Sequence, residues 1–248
     1  MHSGELFRRA FCSGKSFLFF SHFYDCLLDF IYPPTCLLCE RRSEGSNPIC
    51  SECWNEFTGL LDSTVQKGRA AFHHLSGEIH FDEVVTCWDY TPEMETLIHR
   101  IKYQMGRKLG VLLGRVVGEA LRTYFQSWDD GVMLPVPLHR IRQRERGYNQ
   151  SALLCQGMEE CIQIPINSRL LVRNRHTSTQ TKLTALERQK NVREAFEVRC
   201  SERLEGRRII LVDDVSTTGA TMNSCASVLR KAGADEIVGV ALARPKLK

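Results

Sequence analysis

Two adjacent acids and a run of hydroxyl side chains stand near the end of the chain. Four apolar residues, 209–212, precede Asp213 and Asp214 and predict a buried strand. A small, hydroxyl-rich turn at 216–221 follows and opens into a helical pattern. Carboxylates accept hydrogen bonds from hydroxyls, and the unpaired amides at a helix N-terminus attract anions. The pattern therefore indicates a ligand with a phosphate and neighbouring hydroxyls, such as a ribose 5-phosphate.

Two other interpretations of the acid pair are open at this point. An ATPase strand of the Walker B type also ends in acids, but it requires a phosphate-binding loop elsewhere in the chain. Gly14-Lys15-Ser16 is the candidate for that loop, yet Arg9 stands where the loop needs its first glycine. The ATPase is therefore disfavoured, and a purely structural acid pair stays as the alternative to a ligand site.

Four of the eleven cysteines form two Cys-x-x-Cys pairs. Cys36 and Cys39 make the first pair, and Cys50 and Cys53 follow after ten residues. Two such pairs can surround Zn²⁺ with four thiolates, which leaves no open position and predicts a structural metal. Four ordinary buried thiols are the alternative. The other seven cysteines are scattered singly, which favours a reducing, cytoplasmic compartment over a disulfide framework.

Positive charge is concentrated in one part of the chain. The net charge is only +4, but residues 139–193 hold eleven Lys and Arg against four Asp and Glu. Such a zone suits a polyanion, either a pyrophosphate or a nucleic-acid backbone. A solvated basic face is the alternative. Tyr148 is the only aromatic residue of this zone, so it gives thin support for the stacking of single-stranded DNA bases.

Alternating strand and helix patterns predict an α/β fold with a mostly parallel sheet covered on both faces. Strands are predicted at 81–90, 132–138, 170–173, 209–212 and 237–243, and helices at 92–102, 107–125, 151–161 and from the 216–221 turn to 231. Ser151 is the predicted cap of the third helix. Ligands of such sheets bind at the carboxyl ends of the strands, where the acid pair and the basic run after residue 138 both fall.

The string from residue 209 to residue 221 resembles the phosphoribosyl pyrophosphate (PRPP) signature of type I phosphoribosyltransferases. The resemblance implies that Asp213 and Asp214 hold the ribose hydroxyls at the reaction centre. It also implies that the following turn binds the ligand, chiefly its 5′-phosphate, through Ser216, Thr217, Thr218, Gly219, Ala220 and Thr221.

The order of motifs resembles the ComF family, which includes GntX-like proteins. The motifs are the four-cysteine ribbon, 97–103, 134–138, Arg-Gly-Tyr-Asn-Gln at 146–150, 180–196 and the acid-pair signature. The resemblance implies a zinc ribbon fused to a domain of the type I phosphoribosyltransferase kind, which binds PRPP with Mg²⁺. It also implies a link to DNA uptake in natural competence or to nucleotide metabolism.

The resemblance also assigns roles to the basic zone. The loop after Leu138 would face the pyrophosphate, and the segment 176–194 would be the mobile loop that closes over the reaction centre. Four cations are the candidates for pyrophosphate contact: Arg144, Arg146, Arg175 and Lys182. Tyr148, Asn149 and Gln150 either position the ligand or have structural roles, Tyr148 in the core and Asn149 as a helix cap.

Four segments are predicted along the chain. They are an amphipathic helix or extension at 1–33, the zinc ribbon at 34–57, a linker at 58–79 and the phosphoribosyltransferase-like domain at 80–248. The apolar stretch at 17–32 is too short to span a bilayer and is interrupted by His22, Asp25 and Asp29. We expect it to pack on the protein without stable membrane insertion, and attachment to a membrane surface is the alternative.

Two functions follow as hypotheses. The first is a Mg²⁺-dependent phosphoribosyltransferase that moves ribose 5-phosphate from PRPP to a nitrogen nucleophile. The alternative is a non-catalytic accessory protein of the transformation machinery, which binds single-stranded DNA and competence proteins and keeps only the fold.

Overall fold

The computed structural model describes residues 35–43, 48–59, 61, 66–67, 78–103, 106–174, 195–199 and 204–245. The predicted N-terminal helix and the predicted closing segment at 176–194 lie outside these residues. The chain divides into two compact units, Met1–Asn55 and Glu56–Lys248. The four predicted segment boundaries stay predictions.

The described residues alternate between helices and strands. The helices are α1 (Ser51–Gly59), α2 (Pro92–Tyr103), α3 (Arg107–Phe125), α4 (Arg140–Arg146), α5 (Gln150–Ile162) and α6 (Ala220–Lys231). The strands are β1 (Gln66–Lys67), β2 (Glu83–Asp89), β3 (Val132–Pro135), β4 (Leu171–Arg173), β5 (Phe196–Val198), β6 (Arg208–Val215) and β7 (Glu236–Arg244). In this part of the chain, no helix combines the length and the hydrophobicity that a membrane span needs.

Five strands form the central sheet, in the order β1-β2-β7-β6-β3. The three pairings among β2, β7, β6 and β3 are parallel, and only β1, which lies in the predicted linker, pairs antiparallel with β2. The predicted α/β class with a mostly parallel sheet is therefore confirmed. β4 and β5 form a separate antiparallel pair.

The central strands β6 and β3 end at different places from those predicted. β3 stops at Pro135, where it pairs with Val212, and Pro137 has no N–H to continue the ladder. β6 does not end at Val212, because its later residues pair with β7 as far as Val215. The prediction that the acids follow the strand was therefore wrong: both lie within β6, beyond the end of its neighbour β3.

The segment that joins β3 to α5 contains a short helix where the sequence predicts a loop. The side chain of His139 caps α4, which ends at Gly147 in the left-handed region with φ 74°. Asn149 caps α5 through a hydrogen bond from the Ser151 N–H, so the prediction of Ser151 as the cap was wrong and the structural alternative for Asn149 holds. Ser151 is instead the second residue of α5, and its hydroxyl is free for another role.

Helices α3 and α5 pack backbone against backbone through glycines. A Cβ at Gly157 would lie 2.0 Å from the carbonyl oxygen of Val111, and one at Gly114 would lie 2.2 Å from that of Leu154. Side chains larger than hydrogen would force the helices apart, since carbonyl groups cannot rotate away as side chains do. This close approach fixes α5, whose N-terminus reaches the acid pair.

We expect Gly157→Ala to lower the free energy of unfolding by at least about 1–3 kcal/mol, because overpacking against backbone atoms cannot be relieved by a rotamer change. Urea denaturation of purified protein measures it. Gly59→Ala is the matched control: among the described residues outside its own helix, no atom lies within 4 Å of a Cβ there, and the change should be neutral or slightly stabilising. Equal stability of the two variants would contradict the proposed close packing.

Candidate functional site

The acid pair lies at the carboxyl end of β6, beyond the last residue of β6 that pairs with β3. Successive side chains of a strand point to opposite faces, so Asp213 and Asp214 face different sides of the sheet. Asp213 is partly exposed, whereas Asp214 is only 7% exposed. The site is thus an edge of the sheet with one acid on each face.

Asp213 is held from two sides. The Ser151 hydroxyl at the start of α5 donates to its Oδ1 at 3.2 Å, and the Asp214 N–H donates to the same oxygen at 2.9 Å. Although part of the residue is exposed, protein atoms surround its carboxyl group, and this burial raises the pKa of Asp213 well above its usual value, with the nearby charge of Asp214 raising it further. A cation or a hydroxyl donor placed here would therefore stabilise the ionised form.

Each carboxylate oxygen of Asp214 has a donor or a cation beside it, although Oδ2 accepts no hydrogen bond from the described residues. Its Oδ1 accepts a hydrogen bond of 2.9 Å from the Val215 N–H, and its Oδ2 lies 2.7 Å from the Lys102 ammonium. Lys102 belongs to the last turn of α2. Sequence analysis missed this residue, because it lies 112 positions away from the acid and only its place in the 97–103 motif marked it.

Arg173, at the end of β4, adds a second cation close to the acid pair. Its guanidinium lies 5.3 Å from the centre of the Phe196 ring. Burial lowers the pKa of Arg173, while the charges of Cys225 and Asp213 act in the opposite direction. The sequence did not single out Arg173, and Arg175, two residues further on, was predicted instead. Arg175 and Lys182 both lie outside the described residues.

The turn after β6 offers hydrogen-bonding groups to a ligand. Ser216 is 4% exposed, and its hydroxyl has no hydrogen-bond partner among the described residues. Gly219 has φ 73°, a conformation that glycine adopts without strain, and α6 begins directly after it. In the described part of the chain, nothing accepts from the N–H groups of Thr221 and Met222. An unpaired buried hydroxyl beside an open helix N-terminus fits a bound phosphate.

The other predicted turn residues differ in exposure. Thr217 and Thr218 are exposed, and the Thr218 hydroxyl accepts from the Ala220 N–H at 3.4 Å. Their side chains are thus on the solvent side of the turn, where a ligand can reach them. Their contact with phosphate stays a prediction.

The Arg-Gly-Tyr-Asn-Gln element makes mostly internal contacts. Arg146 donates to Gln150 at 3.0 Å and lies 5.2 Å from the centre of the Tyr103 ring. Tyr148 donates its hydroxyl proton to the carbonyl of Ile101 in α2, and the Asn149 amide donates to the carbonyl of Val136 at 2.9 Å. The element therefore ties α2, β3 and α5 together.

The two predicted arginines of α4 differ in their freedom. Arg144 is exposed on the short helix, whereas Arg146 is engaged as described above. Arg144 can swing toward an anion at little cost, and Arg146 would have to give up its contact with Gln150. Contact of either arginine with pyrophosphate stays a prediction.

The four predicted cysteine ligands come together in the other unit. The Sγ atoms of Cys36, Cys39, Cys50 and Cys53 all lie within 4.8 Å of one another, and those of Cys39 and Cys50 are 3.7 Å apart. Zn–S bonds of ~2.3 Å in a tetrahedron separate the sulfurs by ~3.8 Å. The cluster therefore has the donor set and the spacing that a tetrahedral zinc ion requires.

Hydrogen bonds around the cluster favour thiolates. The Leu38 N–H donates to Cys36 Sγ at 3.5 Å, and Arg41 donates to Cys39 Sγ at 3.4 Å. The Arg41 guanidinium lowers the pKa of the Cys39 thiol to about 6, and Arg41 also pairs with Glu52 at 2.6 Å. These groups place donors beside the sulfurs of Cys36 and Cys39, as the outer shell of a metal site does, whereas burial raises the pKa of the Cys53 thiol to about 12.

Two family models match this chain. A "Double zinc ribbon domain" matches residues 27–64, and a "Phosphoribosyl transferase domain" matches residues 170–246. The first match contains the four-cysteine cluster, and the second contains β6 with the acid pair and the turn. The predicted combination of a zinc ribbon and a phosphoribosyltransferase-like domain is confirmed.

Curated relatives match most of the chain. Competence protein F of Haemophilus influenzae is 35% identical over 84% of this chain and 96% of its own length. DNA utilization protein YhgH of Escherichia coli K12 is 31% identical over 80% of this chain and 85% of its own. Competence protein ComFC of Bacillus subtilis is 25% identical over 80% of this chain and 72% of its own.

Solved structures of lower similarity also match. A hypoxanthine phosphoribosyltransferase from Staphylococcus aureus aligns with a TM-score of 0.39 at 13% identity, over 59% of this chain and 71% of that one. A glutamine PRPP amidotransferase from Bacillus subtilis aligns with a TM-score of 0.37 at 23% identity, over 54% and 27% of the two chains.

We expect Asp213→Asn to raise the free energy of unfolding at neutral pH. Because burial raises the pKa of Asp213 in the folded state, the unfolded chain ionises this carboxyl at a lower pH than the folded protein does. Asp213 therefore lowers the free energy of unfolding of the wild type as pH rises above about 4, and the variant, which has no carboxyl group there, does not show this decrease. Urea unfolding at several values from about pH 4 to pH 8 measures the difference.

Asp130→Asn serves as the control of opposite sign. A hydrogen bond from Arg208 lowers the pKa of Asp130, so this carboxyl contributes stability that is present above its unfolded pKa and lost as pH falls. The control variant should therefore be less stable than wild type at neutral pH. If the Asp213→Asn variant were also less stable than wild type at neutral pH, that result would contradict the inference that burial makes ionised Asp213 unfavourable in the folded protein.

Proposed function

The chain belongs to the ComF family, and from that premise we propose that its α/β domain binds PRPP with Mg²⁺ at the carboxyl end of β6. One observation supports this most directly: two acids lie at the end of β6, and a turn with an unpaired buried hydroxyl and the open N-terminus of α6 follow them at once in the described residues. The Ser216 hydroxyl and the N–H groups at the start of α6, which have no partner in the described part of the chain, suit the 5′-phosphate. Asp213 and Asp214 suit the ribose hydroxyls, since ionised carboxylates only accept hydrogen bonds.

The proposed activity is transfer of the ribose 5-phosphate group to a nitrogen nucleophile. Breaking the bond between ribose and pyrophosphate leaves positive charge on the sugar and negative charge on the leaving group, and the acid pair stabilises the sugar. Carboxylate oxygens are the donors that Mg²⁺ prefers, and the bound ion would supply neutralisation of the pyrophosphate. On the protein side, Arg144, Arg146, Arg175 and Lys182 are the candidates for that task.

The names of the relatives suggest where such a protein acts. The Haemophilus influenzae and Bacillus subtilis relatives are called competence proteins, and the Escherichia coli relative is called a DNA utilization protein. We infer that this chain likewise acts in the uptake or use of DNA, with a phosphoribosyl ligand as its small-molecule partner.

We expect isothermal titration calorimetry to show saturable, Mg²⁺-dependent binding of PRPP, and Asp213→Asn with Asp214→Asn to weaken it at least about a hundredfold. Each lost hydrogen bond to a charged group is worth about 1.5–3 kcal/mol, and about 1.4 kcal/mol is tenfold in affinity. The matched control is Asp129→Asn with Asp130→Asn, a second adjacent acid pair that lies before β3. It should bind as wild type does.

A parallel titration with single-stranded DNA separates the two hypotheses. Unchanged PRPP affinity in the first double variant would refute the assignment of the acids. No PRPP binding by folded wild-type protein, together with DNA binding that weakens steeply with salt, would instead favour the non-catalytic accessory protein.

We also propose that Cys36, Cys39, Cys50 and Cys53 hold one structural Zn²⁺. The spacing of the sulfurs and the hydrogen bonds to them support this. In a module with so few described apolar residues, the ion would supply most of the stability, since structural zinc binding contributes about 10–16 kcal/mol in small zinc-finger peptides.

Elemental analysis of protein purified without added metal should give close to one zinc per chain. Cys36→Ser should reduce the zinc content well below one, because it removes a thiolate from a closed four-ligand site. Cys161→Ser changes a cysteine of α5 outside the cluster and should keep the full content. Equal zinc contents in the two variants would refute the site.

A further inference from the structure

The last turn of α2 carries a lysine against the acid pair. The Lys102 ammonium lies 2.7 Å from Asp214 Oδ2, with 24% of the lysine side chain and 9% of the aspartate side chain exposed. A pair so far removed from water is screened less than a surface ion pair. Lys102 therefore acts on Asp214 as a built-in counter-ion.

The position of Lys102 is fixed by contacts on both sides of it. The Tyr148 hydroxyl donates to the carbonyl of Ile101, and the guanidinium of Arg146 lies over the ring of Tyr103. A Cβ at Gly106 would lie 2.4 Å from the Cα of Ile101, so the chain turns back closely on the end of α2. The Arg-Gly-Tyr-Asn-Gln element thus holds the turn of helix from which Lys102 extends.

The groups around the acid pair show which charge Lys102 can compensate. Within the described residues, it is the cation in direct contact with Asp214, while Tyr90 lies near that acid and Arg173 and Cys225 lie near Asp213. A phosphoribosyl ligand brings several negative charges to this edge. Without a counter-ion, two adjacent carboxylates would repel that ligand.

We propose that Lys102 is a positioning residue of the PRPP site, which holds Asp214 as the acceptor for the ribose hydroxyls. Asp214 Oδ1 already accepts from the Val215 N–H, whereas Oδ2 accepts no hydrogen bond from the described residues and lies beside the Lys102 ammonium, so Oδ2 is the oxygen that we assign to a ligand hydroxyl. The ammonium holds that oxygen by charge attraction and offsets its negative charge. This inference rests on the proposed function of the same site.

Calorimetric titration of Lys102→Met and Lys102→Arg with PRPP and Mg²⁺ tests the role. Lys102→Met keeps the length and the apolar stem but removes the charge, and we expect affinity to fall about tenfold to a hundredfold. Lys102→Arg restores a cation and should recover most of that loss. Lys231→Met removes an exposed lysine at the far end of α6 and should bind as wild type does.

The outcomes separate this inference from the proposed function. No PRPP binding by wild type would overturn both. Wild-type binding with Lys102→Met within about twofold of it would overturn the role of Lys102 alone, since about 0.4 kcal/mol is too little for a charged contact. A loss that Lys102→Arg does not recover, together with a lowered Tm in both variants, would assign Lys102 to packing and also overturn the inference. Lys102→Gln gives a second neutral variant if the methionine variant does not fold.

Discussion

Two carboxyl groups on consecutive residues of a buried strand are the constraint on which the rest of the site depends. Burial and the neighbouring charge of Asp214 raise the pKa of Asp213, so this acid needs stabilising contacts from the rest of the protein. Two other elements contact the acids: Ser151 of α5 donates a hydrogen bond to Asp213, and Lys102 of α2 pairs with Asp214. The strand remains a strand there because β7 continues to pair with it, while β3 has stopped.

The helices α5 and α2, which carry Ser151 and Lys102, are held in place by packing and hydrogen bonds within the protein. Glycines at the α3–α5 contact let α5 approach closely, which brings Ser151 to Asp213. The Arg-Gly-Tyr-Asn-Gln element caps α5 through Asn149 and holds the end of α2 through Tyr148. Of the two roles that the sequence left open for this element, positioning a ligand or holding the structure, its contacts in the described residues are structural ones that hold the helices carrying Lys102 and Ser151.

The sequence predicts correctly those parts of the structure that depend on local residue patterns. The parallel sheet follows from apolar runs separated by helical patterns, the bounds of α3 follow from its apolar spacing, and the cysteine cluster follows from two short spacings. Where the outcome depends on a partner distant in sequence, prediction failed. The end of β6 is set by pairing with β7, and Lys102 and Arg173 become neighbours of the acids only when α2 and β4 are in place. No local pattern encodes those contacts.

The arrangement of charge also bears on which polyanion the site accepts. Cations alone would attract any phosphate, whereas two acids at the same edge repel a phosphate that has no hydroxyls to offer. Nucleotides within a DNA strand lack free ribose hydroxyls, so their phosphates would meet Asp213 without compensation. PRPP carries both hydroxyls and phosphates and can satisfy the acids and the turn together. If DNA also binds this chain, we expect it on a surface away from the acids, such as the exposed face of α4 that carries Arg144 and half-exposed Ile141.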